Sequence, residues 1–481
     1  MRGTWFLSAA CLLAASVASG QWEPDIQATN FPGSGKSITA EPAASVGRYV
    51  YLVWDDSRDP SMHETYFKRS TDDGATWEAD VRLTPADAYW SPCGSIAAQG
   101  SDVYVVWHEL RHAAEHPANE EIYYLHSPDN GVTWDSEVRL TYDTLHSWHP
   151  RIAVRDENIH VVWADYRTSS WQVWYKRSTD SGVSWGADTR LSNGSGIIEV
   201  PEVAVAGEKV HVVWQDSRHG NNNHEIYYAR STDNGATWGP ETRLTNEPHE
   251  SYAPVIAAAG ENVHVVWVDY RDLNSEVYYK HSTDNGTTWG SDQNISNTGS
   301  NPSLYTVLPS VAASGRNVHI AWADDFDGND EIYYRSSGDN GESWADRVRL
   351  TNEPAASVSP IVLLTDSAVK VVWPDMRAGA NFELFYKRNP TGNVTGLCEE
   401  RGAPGKVGRG TGTIVRGVLE LAVDSRQHTA YRAGLLDATG RRVAELRPGT
   451  NDVSRLAPGV YFVRSAAGGE RSAVRKVVIE R

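Results

Sequence analysis

A short segment with a Val-Val-Trp-like core recurs seven times along the chain and restricts the fold more than any other feature. Its tryptophans are Trp54, Trp107, Trp163, Trp214, Trp267, Trp322 and Trp373. Successive copies are 51 to 56 residues apart, a period typical of propeller blades and longer than that of most helical repeats. Each repeat holds short β-branched and aromatic segments separated by Gly, Asn and Asp turns. We therefore predict an all-β fold, a seven-bladed β-propeller with four strands per blade.

The two ends of the repeat region complement each other. The seventh repeat loses its pattern after residues 387–388, so its fourth strand is missing. Residues 22–29 resemble the fourth strand of the first repeat, residues 77–84. We predict that residues 22–29 complete blade seven and close the ring, because a paired edge strand no longer invites aggregation.

The regions outside the repeats predict an exported protein. Residues 1–20 have the positive start, apolar centre and small-residue end of a signal peptide, which gives a mature start at Gln21. The alternative is a retained anchor. The propeller is predicted over residues 21–388, and a Gly- and Pro-rich linker over residues 389–411. No later stretch is predicted to span a membrane.

Charge and cysteine content exclude several classes of function. The net charge is -18, with +8 on residues 401–481 and therefore -26 on the remainder. Such an acidic body repels nucleic acid. After loss of the leader only Cys93 and Cys398 remain; they can be paired or free, because their spacing does not decide. No metal motif occurs, and we predict neither a metal nor a cofactor.

A second repeated motif, Ser-x-Asp-x-Gly-x-Thr/Ser-Trp, lies between predicted strands three and four. Its aspartates are Asp72, Asp129, Asp180, Asp233, Asp284 and Asp339. The carboxylate can accept N–H bonds across a turn, Gly supplies a positive φ and Trp packs between blades. With these motifs, known as Asp-boxes, the chain resembles the sialidase superfamily. The resemblance implies a propeller whose Asp-boxes are structural and lie opposite the binding site, although sialidases typically have six blades.

The second strand of most repeats ends in Trp-x-Asp/Glu-x-Arg. The arginines are Arg58, Arg111, Arg167, Arg218, Arg271 and Arg377, whereas the sixth repeat has Phe326 instead. In the resembling family this face carries the site, and three arginines hold the substrate carboxylate bidentately. We therefore predict that these arginines bind substrate. In the alternative interpretation, each arginine pairs with a carboxylate of its own blade.

Departures from the repeat supply the remaining candidates. The long loop of blade two contains Glu109 and His112, which we predict as an acid/base pair; the alternative is a solvated loop. The aromatic residues before the first strands are predicted to ring the channel mouth and stack on sugars, or else to pack against loop bases. These residues are Trp90, Trp148, Tyr252 and Tyr305.

Two hypotheses of function follow. The first is a propeller that binds a glycan or glycoprotein ligand, with exo-sialidase-like hydrolysis as its catalytic form. The second is a non-catalytic propeller for cell-surface adhesion or protein interaction. The Arg-Ile-Pro motif of catalytic sialidases is missing, and residues 151–153 are the nearest string. This absence and the near-uniform blades favour the second hypothesis, whereas the Asp-boxes and the aromatic loops favour the first.

Residues 412–481 are predicted to form a small β-sandwich from short alternating strands. Residues 434–443 and 456–464 are similar to type A sorting domains of type IX secretion. The resemblance implies Sec export, passage of a bacterial outer membrane, contact with the type IX machinery, and a secreted or cell-surface location. The alternative is a carbohydrate-binding module.

Overall fold

The computed structural model describes residues 22–30, 43–56, 58, 63–85, 91, 93–111, 119–220, 223–298, 307–379 and 381–393, together with seven C-terminal strands. Contacts divide the chain into two compact units, Met1–Gly396 and Leu397–Arg481. The described residues form strands and no helix, so none of them belongs to a helix long and apolar enough to cross a membrane.

The first unit contains 28 strands in seven four-stranded antiparallel sheets. The strand that precedes the repeats is β1 (Ile26–Gln27). Blades one to three comprise β2 (Ala43–Val46), β3 (Tyr49–Asp56), β4 (Glu64–Ser70), β5 (Val81–Arg82), β6 (Cys93–Gln99), β7 (Asp102–Glu109), β8 (Glu121–Ser127), β9 (Val138–Arg139), β10 (Ser147–Arg155), β11 (Asn158–Asp165), β12 (Gln172–Ser178) and β13 (Thr189–Arg190). Blades four to seven comprise β14 (Ile198–Ala206), β15 (Lys209–Asp216), β16 (Glu225–Ser231), β17 (Thr242–Arg243), β18 (Ser251–Ala259), β19 (Asn262–Asp269), β20 (Glu276–Ser282), β21 (Gln293–Asn294), β22 (Val307–Ser314), β23 (Asn317–Asp324), β24 (Glu331–Ser337), β25 (Val348–Arg349), β26 (Ile361–Leu364), β27 (Val369–Asp375) and β28 (Glu383–Asn389).

The seven sheets form a closed ring. The first strand of each blade contacts the first strand of the next, and β26 of blade seven contacts β2 of blade one. The predicted seven-bladed propeller is confirmed.

The N-terminal strand closes the last blade. Strand β1 pairs with β28, with Ile26 opposite Tyr386 and Gln27 opposite Phe385. The Thr29 hydroxyl donates to the Glu383 carboxylate at 2.7 Å and accepts from the Leu384 amide at 2.8 Å. The prediction from residues 22–29 is confirmed, and β1 covers the edge of β28.

The hydrophobic core lies between neighbouring blades. All seven repeat tryptophans are fully buried at 0% exposure. Strand two alternates its side chains between the two neighbouring interfaces, so Val53 packs toward blade two while Trp54 packs toward blade seven. Each blade is therefore buried on both faces, which explains the continuous apolar runs of the second strands.

The C-terminal unit contains the remaining strands. They are β29 (Thr413–Val415), β30 (Val418–Leu421), β31 (Arg432–Leu436), β32 (Arg442–Leu446), β33 (Gly449–Asp452), β34 (Gly459–Ala466) and β35 (Ala473–Ile479). Five form a sheet in the order β29-β35-β34-β31-β32, and β30 pairs with β33. The sandwich arrangement and the sorting function of this unit stay predictions, as do the predicted domain boundaries.

Several predicted features lie outside the described residues. They are the signal peptide, most of the linker, His112, Trp90, Tyr305, Cys398 and the side chain of Cys93.

Candidate functional site

The propeller has two distinct faces because its strands alternate in direction. Each hairpin between strands two and three lies beside the loop that leads to the next blade, as where the Ser147 amide donates to the Glu120 carbonyl at 2.9 Å. We call this the upper face. The Asp-box turns lie beside the hairpins between strands one and two, as where the Asp73 amide donates to the Arg48 carbonyl at 2.8 Å. We call this the Asp-box face.

Each Asp-box aspartate accepts hydrogen bonds from residues of its own turn. Asp72 Oδ1 accepts from the Ser70 hydroxyl and the Thr76 amide, both at 2.8 Å, and Asp72 Oδ2 accepts from the Thr76 hydroxyl at 2.6 Å. The other five turns repeat this pattern. In blade two, the bonds from Thr133 lower the pKa of Asp129 to about 2.

The glycine and tryptophan of each Asp-box fit against the preceding blade. Gly235 has φ +78°, and a Cβ placed there would lie 1.8 Å from Tyr175 Oη. The Trp238 ring meets the Tyr175 ring edge-to-face, with centroids 4.8 Å apart. This face is therefore built for contact between blades.

The upper-face arginines are each held by two carboxylates of one blade. In blade three, Arg167 binds Asp165 at 2.7 Å and Asp188 at 2.6 Å. Its guanidinium lies 4.2 Å from the Trp174 ring centroid. Equivalent pairings join Arg58 to Asp56 and Asp80, Arg111 to Glu109 and Glu137, Arg218 to Asp216 and Glu241, Arg271 to Asp269 and Asp292, and Arg377 to Asp375 and Asp25.

This arrangement directs the arginines away from a common point. The second carboxylate of each pair precedes the fourth, outermost strand, so each guanidinium faces the rim of its own blade. Each of the six guanidiniums already binds two carboxylates, which a substrate carboxylate would have to displace. The geometry accounts for them as ties between strands two, three and four.

Glu109 takes part in the same arrangement. It is fully buried, accepts from Trp107 Nε1 at 2.9 Å and binds Arg111. Asp165 of blade three binds its own tryptophan and arginine in the same way. The longer side chain therefore takes the place of the usual aspartate, and the predicted partner His112 lies outside the described residues.

The predicted aromatic residues lie in different blades and do not form one group among the described residues. Tyr252 of blade five lies beside Ser275, with the two hydroxyls 3.4 Å apart. Trp148 of blade three stacks on Trp171, with ring centroids 4.7 Å apart at an interplanar angle of 30°. Tyr166 and His146 extend this cluster at 5.2 Å from Trp171 and 5.1 Å from Trp148. We call His146, Trp148, Tyr166 and Trp171 the aromatic platform.

A β-bulge places the platform on the upper face. The register of β10 against β11 shifts between Trp148 and Arg151, and His149 within the bulge has φ +50°. Bulges redirect side chains at the ends of strands. Here Trp148 joins the rings at the upper end while Arg151 lines the axis.

A buried carboxylate lies beneath the platform. Glu120, which precedes strand three of blade two, is only 5% exposed. Its Oε2 accepts from Trp148 Nε1 and, at 2.5 Å, from His146 Nδ1. Burial raises the pKa of Glu120 above its ordinary value, against the opposing effect of His146. The four rings are half-buried, so the cluster presents both aromatic surface and an acidic group.

Glu120, His146 and Trp171 were not predicted from the sequence. One signal was available, because the residue before strand three varies among the repeats, and only His occurs there twice. It is His63, Glu120, Trp171, His224, Ser275, Asp330 and Phe382 in blades one to seven. A position that varies among otherwise regular hairpins is not fixed by the structure that the blades share, so it is a candidate for function.

A second feature lies on the axis. A cavity of about 220 Å³ is lined by the first strands of all seven blades. Polar and apolar atoms contribute about equally to its wall. Arg151 Nε donates to Glu202 Oε1 at 2.6 Å, and Arg151 Nη1 donates to the Gly94 carbonyl at 3.0 Å. These contacts tie blades two, three and four together. Within the described part of the chain, no three His, Cys, Asp or Glu side chains are grouped to hold a metal ion.

The repeat has a counterpart among protein families. Residues 49–265 match the BNR repeat-like domain. The matched BNR repeat-like region runs from the second strand of blade one into the second strand of blade five. It supports the resemblance to the sialidase superfamily that the Asp-boxes carry. The sequence has no significant match among curated proteins.

Solved structures show distant similarity. The Trypanosoma rangeli sialidase in complex with sialic acid is 14% identical, with 64% of this chain and 55% of that chain covered, at a TM-score of 0.43. The α-L-arabinofuranosidase Arb93a of Fusarium graminearum is 16% identical, with 60% and 89% covered, at 0.44. The polysaccharide lyase Uly1 is 11% identical, with 73% and 89% covered, at 0.48. The aligned region thus spans about half of the sialidase, and these similarities carry no argument about substrate.

Proposed function

We propose that the propeller binds glycans on its upper face, at the aromatic platform. The observation that carries the proposal is the Trp148–Trp171 ring pair beside the buried Glu120 carboxylate. Aromatic rings offer apolar surface to the face of a sugar, while a few fixed polar groups select and orient its hydroxyls. The platform combines both elements.

The proposal is for binding without sialidase-type hydrolysis. Such hydrolysis needs a cationic set for the sugar carboxylate and a matched pair of catalytic groups. Each of the six arginines considered for this role binds a carboxylate of its own blade. This supports a binding propeller, and the same pairing favours the second candidate, an adhesion or protein-interaction surface.

A glycan array tests the proposal. The full chain should bind a defined group of glycans, and both Trp148→Ala and Trp171→Ala should lose that binding. Val183→Ser is the matched control, because Val183 is 86% exposed in an Asp-box turn on the other face. Binding to no glycan would overturn the proposal in favour of protein interaction, and turnover of a fluorogenic sialoside would contradict the absence of hydrolysis.

We further propose that the protein is exported and displayed or released at the bacterial cell surface. The signal-peptide pattern of residues 1–20 and the sorting-domain resemblance of residues 412–481 support this. Mass spectrometry of the secreted protein should find Gln21 as the mature N-terminus. A reporter fused to residues 412–481 should leave the cell only in hosts with type IX secretion.

A further inference from the structure

The charges around the platform restrict the sugar that it can take. Arg167, the arginine of the same blade, is bound by Asp165, Asp188 and also Asp143 at 2.7 Å. Arg151 is bound to Glu202. A sugar carboxylate approaching the platform would therefore have to displace one of these carboxylates from its guanidinium.

The Glu120 carboxylate at the platform favours a positively charged ligand. Both hydrogen bonds that Glu120 accepts from Trp148 and His146 fall on Oε2. Among the described residues, none donates to Oε1. This oxygen can accept a hydrogen bond from a ligand, and a charged donor gives the stronger bond.

A second carboxylate extends the acidic character along the same face. Glu199 occupies in blade four the position that Trp148 occupies in blade three. The region from residue 1 to 400 carries a net charge of -26, so its long-range field attracts cations. Aromatic rings also attract ammonium groups through their π-faces.

We infer that the aromatic platform takes a sugar with a free ammonium group, of the 2-amino-2-deoxyhexose class, whose ammonium binds Glu120 Oε1 while the sugar ring lies on Trp148 and Trp171. This inference rests on the proposed glycan binding and names its ligand class. Neutral sugars lack the charge for Glu120, and acidic sugars meet an acidic surface.

Three probes test the inference with the full chain by isothermal titration. They are a glucosamine tetramer, its fully N-acetylated form and a galacturonic acid tetramer. We expect the glucosamine tetramer to bind at least about ten-fold more tightly than the acetylated one, and more weakly as salt rises. The galacturonate should bind least.

Single substitutions test which residues cause the preference for the glucosamine tetramer. Glu120→Gln should reduce glucosamine affinity to that of the acetylated tetramer while leaving the latter within about two-fold. Trp171→Ala should weaken both, and Val183→Ser neither. Circular dichroism shows whether each variant is folded.

The outcomes separate the inference from the proposed function. Equal binding of all three tetramers, or tightest binding of galacturonate, would overturn the ammonium preference but leave glycan binding standing. A Glu120→Gln variant that folds and keeps the full preference would also overturn the inference. Binding of none of the three tetramers would overturn the inference, and the glycan array would then decide whether the proposed glycan binding stands.

Discussion

The guanidinium carbon of Arg347 lies 4.6 Å from the centre of the Phe326 ring. In the other six blades, the residue at the position of Phe326 is the arginine and the residue at that of Arg347 is a carboxylate. Blade six has therefore moved its cation from the second strand to the segment before the fourth. The guanidinium still lies 5.1 Å from the ring of Tyr333 on strand three, so the aromatic contact of the other blades is retained.

The exchange leaves Asp324 without the arginine that its counterparts bind. Asp324 is 4% exposed and accepts from the Phe326 amide at 2.9 Å. Burial, with a further contribution from Glu276, raises its pKa to about 6. Asp375 of blade seven instead binds Arg377 at 2.6 Å, and hydrogen bonds from Arg377 help hold its pKa below 3.8 against burial.

We expect Asp324→Asn to be neutral or stabilising at pH 8, whereas Asp375→Asn should destabilise the protein by about 2 kcal/mol. The first change removes a buried charge without an arginine partner; the second breaks an ion pair. Urea unfolding of both variants provides the comparison. Equal losses would contradict this account of blade six.

The raised pKa of Asp324 also predicts that the stability difference between wild type and Asp324→Asn depends on pH. The folded chain holds the Asp324 proton more tightly than the unfolded chain, so ionisation costs stability as pH rises from about 4 to about 6. The advantage of Asp324→Asn over wild type should grow across that range by about 1–3 kcal/mol and then stay constant. A difference independent of pH would show that Asp324 does not titrate there.

Asp-box glycines should be less tolerant than other turn glycines. Gly235→Ala introduces a Cβ 1.8 Å from Tyr175 Oη, whereas Gly207, with φ +60°, has no atom within 4 Å of the added Cβ. We expect Gly207→Ala to cost about 1 kcal/mol from backbone strain alone. Gly235→Ala should cost about 3 kcal/mol or more because the neighbouring blade must move. Similar costs in thermal unfolding would mean that contact between blades is not what requires glycine.

Four buried histidines should make the propeller sensitive to acid. They are His160, His211, His264 and His319, each hydrogen-bonded through Nδ1 to a tyrosine hydroxyl. Burial lowers the pKa of His211 to about 4, so the unfolded chain binds the proton first. Stability present above pH 6.5 should be lost as the pH falls toward 4.

The variant His211→Gln isolates one of these contributions. It should reduce the acid-induced loss by about a sixth, because burial also lowers the pKa values of His108 and His149, which makes six such groups. Asp55 and Asp324 have raised pKa values near 6 and act in the opposite direction, so wild type and variant must be compared at each pH. An unchanged pH profile in a folded variant would contradict protonation at His211.

Ring closure predicts complementation by a peptide. A chain that starts at residue 31 should expose the edge of β28 and aggregate, because that edge then lacks its partner. A peptide of residues 21–30 added in trans should restore solubility and raise the melting temperature. A scrambled peptide is the control. If the shortened chain is as stable as the full one, β1 is not needed for closure.

The periodic parts of the molecule were predictable because each depends on local pattern. The seven blades follow from alternating apolar residues, and the closing strand from the likeness of residues 22–29 to residues 77–84. The role of Glu109 was harder to predict, since only the structure places its carboxylate on Trp107 and Arg111.

The platform could not be predicted in full. Trp148 was identified from its loop, but its partners come from separate segments and from two blades. The bulge at His149 decides which way Trp148 turns, and no alternation rule specifies it. The hydrogen bond between Trp148 and Glu120 depends on how two blades dock, a relationship that the repeat pattern alone does not encode.

The most direct test of the account is a crystal of the full chain soaked with the glucosamine tetramer. We predict a sugar ring on the exposed side of Trp148 and Trp171, with its ammonium nitrogen about 3 Å from Glu120 Oε1. A tetramer bound in the axial cavity or on the Asp-box face, with the platform empty, would contradict the assignment of the binding site.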